Sequence, residues 1–496
     1  MPKLSITSKP VQDAVGDIIV IPVDTTLDIA SEILVLAKKV QFAGQWGRAE
    51  IFVSPKGFST PFVAVVGMGS PEVSDAKRNE GIRRGVASII LDGRAHMLRN
   101  ISIAIPRIDI LDAVVESVLL TDYWFTQHSV LMKQEQKSRS LESVTLHVAS
   151  KQDIAVAKRI VQRTEKAMAA VTLTRNLVNQ PASHMSPRVL VTEAKKIEKK
   201  SPSISLTTMN RKQAEKKNLS AFLAVARGST EEPYAIHLKY TPKKKAKKKI
   251  VLVGKAITFD SGGLSLKPAN SMENMKIDMA GAATVLGLFS LLPELDLDIE
   301  VHGIILACEN MPSGDAYRPG DVIPTMSGKT IEVLNTDAEG RVVLADALTY
   351  GLTLKPDAMI DLATLTGAMV VALGDTYAGL FGNNKELNAA LMQSAEIAGE
   401  GLVEFPLPEE YRPTIQSRVG DVRNTSMMKM GGAITAALFL QEFVGPSTGS
   451  GQAVAWAHID IAGPVYAEQP LIPYWQFGAT GYGVRTLVRF VEGYGK

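Results

Sequence analysis

The chain of 496 residues is poor in the residues that most often build disulfides and zinc sites. Its single cysteine, Cys308, excludes a disulfide within the chain and is typical of a protein from the reducing cytosol. None of the seven histidines shows the His-Glu-x-x-His spacing of a common zinc site. The sequence has no uninterrupted run of about 18 apolar residues, which a membrane span requires. Residues 1–13 also lack the apolar core that a signal peptide requires. We therefore expect a cytoplasmic protein with no membrane span.

An excess of one charge is missing as well. The 54 lysines and arginines nearly balance the 51 acidic residues, and the net charge is +3. This balance gives no general reason to expect binding to nucleic acid or to a membrane surface. A hydrophobic content of 46% with 21% charged residues is typical of globular proteins, and the length predicts two or three domains.

The sequence patterns predict an α/β protein. Strand-like and helix-like runs alternate over residues 1–150, which indicates an N-terminal α/β accessory domain. Apolar residues at helical spacing predict a linking helix over residues 151–180, ended by Pro181. A larger C-terminal domain would then cover residues 181–496. The strand-like runs of the first domain are Asp17–Val23, Phe62–Val66, Ile101–Ile105 and Ser143–Val148, and helix-like runs such as Asn79–Leu98 lie between them.

The densest group of polar side chains is the heptapeptide NTDAEGR at residues 335–341. It follows a strand-like run, residues 329–334, and precedes a helix-like run, residues 342–348. In an extended backbone alternate side chains share one side. Asn335, Asp337, Glu339 and Arg341 would then face one crevice at the end of a strand, where open α/β sheets bind ligands. The alternative is a solvated loop with an internal ion pair.

A second stretch supplies the partners of this heptapeptide. GKAITFDSGGLSLKP at residues 254–268 follows an apolar strand-like run and contains two lysines, and Asp278 opens the helix-like run Met279–Leu292. Carboxylates bind hard or borderline cations, and paired cations share bridging carboxylates. Lysine can join such a set only as the neutral amine. The alternatives are a surface position for Lys267 and a helix N-cap for Asp278. Together the stretches supply four carboxylates, Asp260, Asp278, Asp337 and Glu339, and two lysines, Lys255 and Lys267.

These motifs identify a family resemblance. From about Arg175 onward the sequence resembles the leucyl aminopeptidase (cytosol aminopeptidase) family. The resemblance lies in the two stretches above and in four further motifs: MKIDMAGAA at 275–283, DLATLTGA at 361–368, GGAITAALFL at 431–440 and HIDIAGP at 458–464. One departure is Ala256, where the family usually has glycine. If that position required a positive φ, alanine would be strained.

The resemblance implies a fold, an activity and a metal centre. Residues 181–496 would form a metallopeptidase catalytic domain with a central mixed sheet flanked by helices. The enzyme would release N-terminal leucine and other apolar residues from peptides by attack of a metal-activated water. Two divalent ions, manganese or zinc with magnesium as an alternative, would be bound. The implied ligands of one ion are Lys255, Asp260, Asp278 and Glu339, and those of the other are Asp260, Asp337 with its carbonyl, and Glu339.

The resemblance also implies the remaining site residues and the assembly. Lys267 would stabilise the oxyanion, and Arg341 would bind bicarbonate as the general base. The substrates would be peptides with a free N terminus, and the chain would form a homohexamer, a dimer of trimers. The implied substrate-binding residues are Met275, Asn335, Thr364, Leu365 and Gly367.

Four other features have competing interpretations. The lysine run 243–249 predicts a solvated connection between strands, with DNA binding as the alternative. Residues 445–449 match Gly-x-Ser-x-Gly, but a helix precedes and a strand follows, the reverse of a nucleophile elbow. Val66-Gly-Met-Gly69 lacks the third glycine of a dinucleotide-binding turn. His302 and His458 lie in apolar runs and are expected to be hydrogen-bonded structural residues. A catalytically inactive scaffold is disfavoured because all the polar residues of the motifs are present.

Overall fold

The computed structural model describes residues 1–445 and 453–494 and divides into two compact units. One contains Met1–Ala169 with Ala467–Phe477, and the other contains Ala170–Tyr466 with Gly478–Lys496. Each unit has β-sheet and helices, so the predicted α/β class is confirmed. The predicted domain limits at residues 150 and 180 stay a prediction.

The first unit is built on a six-stranded sheet in the order β1-β6-β5-β2-β4-β3, in which only β3 runs antiparallel to its neighbour. The four predicted strands are present. The two that were not predicted, β1 and β3, lie at the sheet edges, where partial exposure weakens the apolar pattern. The elements are β1 Lys3–Thr7, β2 Ile18–Val23, α1 Ser31–Lys39, β3 Ala49–Val53, β4 Phe62–Gly67, α2 Asp75–Ala95, β5 Asn100–Ile105, α3 Leu111–Thr121, α4 Val130–Arg139 and β6 Ser143–Val148. Helix α5, Asp153–Asn179, begins in this unit and ends in the second, because the boundary falls after Ala169.

The second unit contains an eight-stranded mixed sheet in the order β15-β14-β17-β13-β9-β10-β8-β7 and a three-stranded sheet in the order β11-β12-β16. The strands are β7 Ile204–Met209, β8 Tyr234–Tyr240, β9 Lys248–Asp260, β10 Ile299–Asn310, β11 Val322–Pro324, β12 Thr330–Glu332, β13 Ala358–Ala363, β14 Tyr377–Gly382, β15 Gly401–Glu404, β16 Val422–Arg423, β17 Ala455–Asp460, β18 Tyr466–Ala467 and β19 Gly478–Ala479. The helices are α6 Pro187–Glu198, α7 Arg211–Glu215, α8 Ser220–Val225, α9 Ala269–Met272, α10 Ala280–Leu291, α11 Glu339–Leu352, α12 Gly367–Leu373, α13 Lys385–Ala398, α14 Gly432–Gln441 and α15 Val484–Tyr494.

Four neighbouring strands of the large sheet, β10, β9, β13 and β17, run parallel to one another. Their carboxyl ends therefore meet at one edge of the sheet, which is where open α/β sheets bind ligands. The last residues of these strands are Asn310, Asp260, Ala363 and Asp460. Three of the four are polar and buried, which marks this edge as the place to search for a site.

Helix α10 packs closely on the neighbouring strands β9 and β13, and small residues make this possible. A Cβ on Gly254 would lie 2.6 Å from the Ala282 Cα, and one on Gly281 would lie 2.0 Å from the Leu362 carbonyl oxygen. The stretch Ala269–Glu294, which includes this helix, is apolar enough to cross a membrane by composition, and 78% of its most apolar window is buried. Burial of that extent is expected of a helix in the core of a globular domain.

The structure adds observations on two of the competing interpretations. The lysine run connects β8 to β9, and Lys247 and Lys249 form ion pairs with Asp298 and Glu300, so DNA binding gains no support from these contacts. A Cβ on Gly67 would lie 1.9 Å from the Gln45 carbonyl oxygen, so this glycine is required for packing. The Gly-x-Ser-x-Gly motif extends into residues 446–452, outside the described part of the chain.

Both histidine predictions are confirmed. His458 Nδ1 lies 2.6 Å from Asp361 Oδ1. His302 Nδ1 lies 2.8 Å from His237 Nε2, and its Nε2 lies 3.0 Å from Glu300 Oε1.

Candidate metal centre

The predicted metal-binding residues come from three elements that meet at the carboxyl edge of the large sheet. Strand β9 supplies Lys255 and ends at Asp260. Asp278 precedes α10, whose N-cap is Met279, so the helix-cap alternative for Asp278 is wrong. Asp337 lies in the loop before α11, and Glu339 is the first residue of that helix.

One half of the site is organised around the ammonium group of Lys255. This Nζ lies 2.7 Å from Asp278 Oδ1 and 2.8 Å from Glu339 Oε1. It also donates a hydrogen bond of 3.0 Å to the carbonyl oxygen of Thr364, whose hydroxyl donates to Asp278 Oδ1 at 2.7 Å. Gly340 makes room for the lysine, because a Cβ there would lie 2.4 Å from Lys255 Cε.

The other half is organised around Lys267 and Asp260. Lys267 Nζ lies 2.9 Å from Asp260 Oδ2 and also contacts Asp337 Oδ1. Asp260 Oδ1 accepts hydrogen bonds from the Gly262 backbone N–H at 2.9 Å and from Asn310 Nδ2 at 2.8 Å. The Lys267 side chain is 13% exposed, so its surface alternative is wrong.

The electrostatics of the site follow from placing three buried carboxylates and the partly exposed Asp337 beside two lysines. Burial, reinforced by the charge of Glu339, raises the pKa of Asp260. Burial also raises the pKa of Asp278 well above its usual value, against the opposing effect of Lys255. For Lys255 burial alone would lower the pKa, but Asp278, Glu339 and Asp260 together raise it. The raised pKa values show that crowding these acids makes their ionised forms costly, and divalent cations would offset that cost.

The residues fit a metal ion on two further observations. One carboxylate oxygen from each of Asp260, Asp337 and Glu339 lies within 4.8 Å of the other two. Asp278 Oδ2 is buried and has no hydrogen-bond partner in the described part of the chain. A buried acceptor without a donor is costly unless a cation or water satisfies it. Oxygen donors with one lysine amine suit manganese, magnesium or zinc.

The heptapeptide reaches this site by a different conformation from the predicted one. Residues 335–341 are not extended, because α11 already begins at Glu339. The preceding strand, β12, belongs to the small three-stranded sheet and not to the central one. The alternation argument was therefore wrong: Asp337 is placed by a turn in which Asn335 Oδ1 accepts its backbone N–H at 2.8 Å.

Arg341 lies in the first turn of α11. Burial lowers its pKa to about 10, against the opposing charges of Glu339 and Asp460, so the guanidinium remains charged at neutral pH. Its Nε is buried and has no hydrogen-bond partner among residues 1–445 and 453–494. An unsatisfied, charged donor of this kind fits an anion.

The predicted substrate-side residues are distributed around these groups. Thr364 contacts the Lys255 amine directly, and Leu365 N–H donates to Asp460 Oδ1 at 3.1 Å. Gly367 begins α12, and a Cβ there would have no neighbour within 4 Å. Met275 begins a short 3-10 helix and is half-buried.

Ala256 has no strained backbone. It lies buried within β9 and is absent from the five non-glycine residues with positive φ found in the described part of the chain. Alanine therefore fits at position 256 without backbone strain.

Sequence reasoning missed several buried polar residues that hold the ligands. Asn310 Nδ2 donates to Asp260 and to the Thr336 carbonyl oxygen, which also accepts the Tyr317 hydroxyl. Asn424 contacts the backbone on both sides of Asn335. A polar residue at the end of an apolar strand could have revealed Asn310, but no local signal distinguishes Asn424.

Comparison with known proteins identifies the family. The model of the catalytic domain of the cytosol aminopeptidase family matches residues 172–488, well over half of the chain. The chain belongs to the cytosol aminopeptidase family. The predicted metal-dependent aminopeptidase, a peptide hydrolase of the leucyl aminopeptidase type, is thereby confirmed.

Relatives of this aminopeptidase cover nearly its whole length. A probable cytosol aminopeptidase of Aquifex aeolicus is 40% identical over 463 residues, 92% of this chain and 89% of the relative. One from Synechococcus is 38% identical over 505 residues, 99% of both chains. A mutant of tomato leucine aminopeptidase has a TM-score of 0.83 at 34% identity and covers 99% of this chain and 96% of its own. The structure of the bottromycin maturation enzyme BotP in complex with Mn matches with a TM-score of 0.82 at 31% identity, and the match covers 97% of this chain and 100% of BotP.

Proposed function

We propose that this aminopeptidase binds two divalent cations and preferentially releases N-terminal leucine and other apolar residues from peptides. The observation that carries the proposal is the cluster of Asp260, Asp337 and Glu339 beside the Lys255–Asp278 pair. One cation would be held by Lys255, Asp260, Asp278 and Glu339, and the other by Asp260, Asp337 and Glu339. When bound, such a pair supplies an activated water and polarises the scissile carbonyl.

Cation binding requires a change in the protonation of Lys255. Its amine can be a ligand only after losing its proton, and the surrounding carboxylates raise its pKa and so oppose that loss. Cations that neutralise these carboxylates remove the opposition. Manganese or zinc is the proposed metal, and the structure of BotP in complex with Mn supports manganese.

Lys267 would stabilise the oxyanion that develops on the substrate. Burial alone would lower its pKa, but Asp260 and Asp337 raise it, so the side chain stays cationic at working pH. A permanent cation held by two carboxylates is suited to electrostatic stabilisation and unsuited to proton abstraction.

Arg341 would bind bicarbonate, which would accept the proton of the attacking water. The unsatisfied Nε described above supports this role, because a guanidinium matches a planar oxyanion through parallel N–H donors. Asp460 lies close enough to influence the Arg341 pKa and so contributes to keeping the arginine charged.

The substrate side would be formed by Met275, Asn335, Thr364, Leu365 and Gly367. The flexible thioether of half-buried Met275 suits an apolar side chain of variable shape. The free space above Gly367 supports access of a peptide from that direction. The proposal extends to a cytosolic homohexamer, a dimer of trimers.

The proposal is tested by leucine amide hydrolysis in metal-depleted protein, with manganese or zinc then added back. Activity should disappear on depletion and return with metal. Added bicarbonate should raise turnover in the wild-type protein and have little effect in Arg341→Ala.

An N-acetylated leucine amide is the matched control substrate, because it differs only in the α-amine. It should be hydrolysed far more slowly. Undiminished activity in protein shown to be metal-free would disprove the metal mechanism, and equal turnover of both substrates would disprove recognition of the amine.

A further inference from the structure

The backbone of the loop between β12 and α11 carries Asp337 and leads into Glu339, yet it has no regular structure of its own. Backbone groups that are shielded from water in such a half-buried loop need partners from elsewhere in the protein. Several of these partners are provided by a single side chain, Asn424, which is 0% exposed.

Asn424 contacts the loop with both ends of its amide. Its Oδ1 accepts the N–H of Leu334 at 2.9 Å and that of Asn335 at 3.4 Å. Its Nδ2 donates to the carbonyl oxygen of Asn335 at 2.6 Å and, more weakly, to that of Ala338 at 3.4 Å. The amide therefore spans the loop from Leu334, the second residue after the strand, to Ala338, the N-cap of α11.

The small three-stranded sheet explains how a residue 90 positions away reaches this loop. Strand β16 pairs in parallel with β12, with Val422 opposite Ile331 and Arg423 opposite Glu332. Parallel neighbours end at the same edge, so the residue after β16 lies beside the residues after β12. The Asn424 backbone N–H continues the pairing with a 3.0 Å bond to the Glu332 carbonyl oxygen.

We infer that Asn424 is a positioning residue for the metal centre, one that fixes the backbone from which Asp337 and Glu339 project. The inference rests on the proposed function, because these two residues are its proposed ligands. Partners that orient metal ligands typically affect metal affinity or activity about 10- to 100-fold when they are removed.

Two substitutions and one matched control separate positioning from general stability. Asn424→Ala removes all the contacts, whereas Asn424→Asp keeps the accepting oxygen and the volume but loses the donated bonds. Asn388→Ala removes another buried asparagine of the same unit, which donates to Glu404 on the outermost strand β15. Mn²⁺ alone is titrated into each full-length apoprotein against a fluorescent chelator, and the melting temperature of each apoprotein is recorded.

Both Asn424 variants should bind Mn²⁺ about tenfold more weakly than the wild type. Asn388→Ala should melt earlier yet bind Mn²⁺ within twofold of the wild type. Turnover of Asn424→Ala should rise with Mn²⁺ at concentrations that already saturate the wild type.

Wild-type affinity in both Asn424 variants would overturn the inference, as would an equal loss of affinity in Asn388→Ala. Failure of both Asn424 variants to fold would also overturn it, because the role would then be in folding. If the wild-type protein binds no Mn²⁺, the proposed function is refuted, and the role of Asn424 is not what failed. The titration of the wild-type protein alone distinguishes these two outcomes.

Discussion

Replacement of Gly340 by alanine should disable the metal centre although every proposed metal ligand is still present in the sequence. The new Cβ would lie 2.4 Å from Lys255 Cε and 2.5 Å from its Nζ. An ordinary contact begins at about 3.4 Å, so the lysine side chain must move by about 1 Å. The end of a lysine side chain is flexible, but this one is held by Asp278, Glu339 and the Thr364 carbonyl oxygen. The clash should therefore break these contacts.

The effect on stability should be small in comparison. Overpacking a core costs about 1–3 kcal/mol, and replacing glycine by alanine in a helix returns about 0.5–1 kcal/mol. The net loss is then between roughly zero and 2.5 kcal/mol, which a folded domain tolerates. A displacement of about 1 Å at a reacting centre can cost about 100-fold in rate. We expect a folded Gly340→Ala protein with at least this loss of turnover.

The assay combines leucine amide hydrolysis at saturating Mn²⁺ with a thermal melt. Gly493→Ala is the control, since it makes the same change in helix α15 where a Cβ would have no neighbour within 4 Å. The control should keep full activity. Gly340→Ala protein with turnover within threefold of the wild type would show that the position of Lys255 does not matter to the reaction.

Three further predictions follow from named residues. Lys255→Ala should lose metal affinity and regain activity when metal is added, whereas Lys267→Ala should bind two metals per chain and turn over about 100- to 1000-fold more slowly than the wild type. Metal content by mass spectrometry, measured together with turnover, tests this, and the reverse pattern would exchange the two roles. Burial, with the charges of His302 and Lys239, lowers the pKa of His237 to about 4. As the pH falls, the unfolded chain therefore takes up this proton before the folded protein does, and the free energy of unfolding should decrease between pH 6.5 and pH 4. Urea unfolding at pH 7 and pH 5 should show a smaller loss in His237→Gln than in the wild type, and equal losses would refute this assignment. Ser447→Ala should keep activity within a few fold, because α14 precedes and β17 follows its motif; a thousandfold loss would restore the serine-hydrolase alternative.

The sequence by itself determined most of the polar residues of the candidate site and the four inner strands of the first unit. Lys255, Asp260 and Asp278 could be selected because residue type and spacing are local properties, and polar residues at the ends of apolar runs are visible without a fold. The strands of the first unit were predicted for the same reason, except at the exposed edges, where β1 and β3 have no clear apolar pattern.

Only the tertiary structure decided how the residues meet. The heptapeptide was predicted to be extended, yet a helix begins at Glu339, because the loop is held by contacts from distant parts of the chain. Asn424 could not be selected from the sequence, since its partners in the loop lie 86 to 90 residues away and follow from strand pairing. Residue types are local, but the pairing that places Asn424 beside Leu334 is a property of the whole sheet.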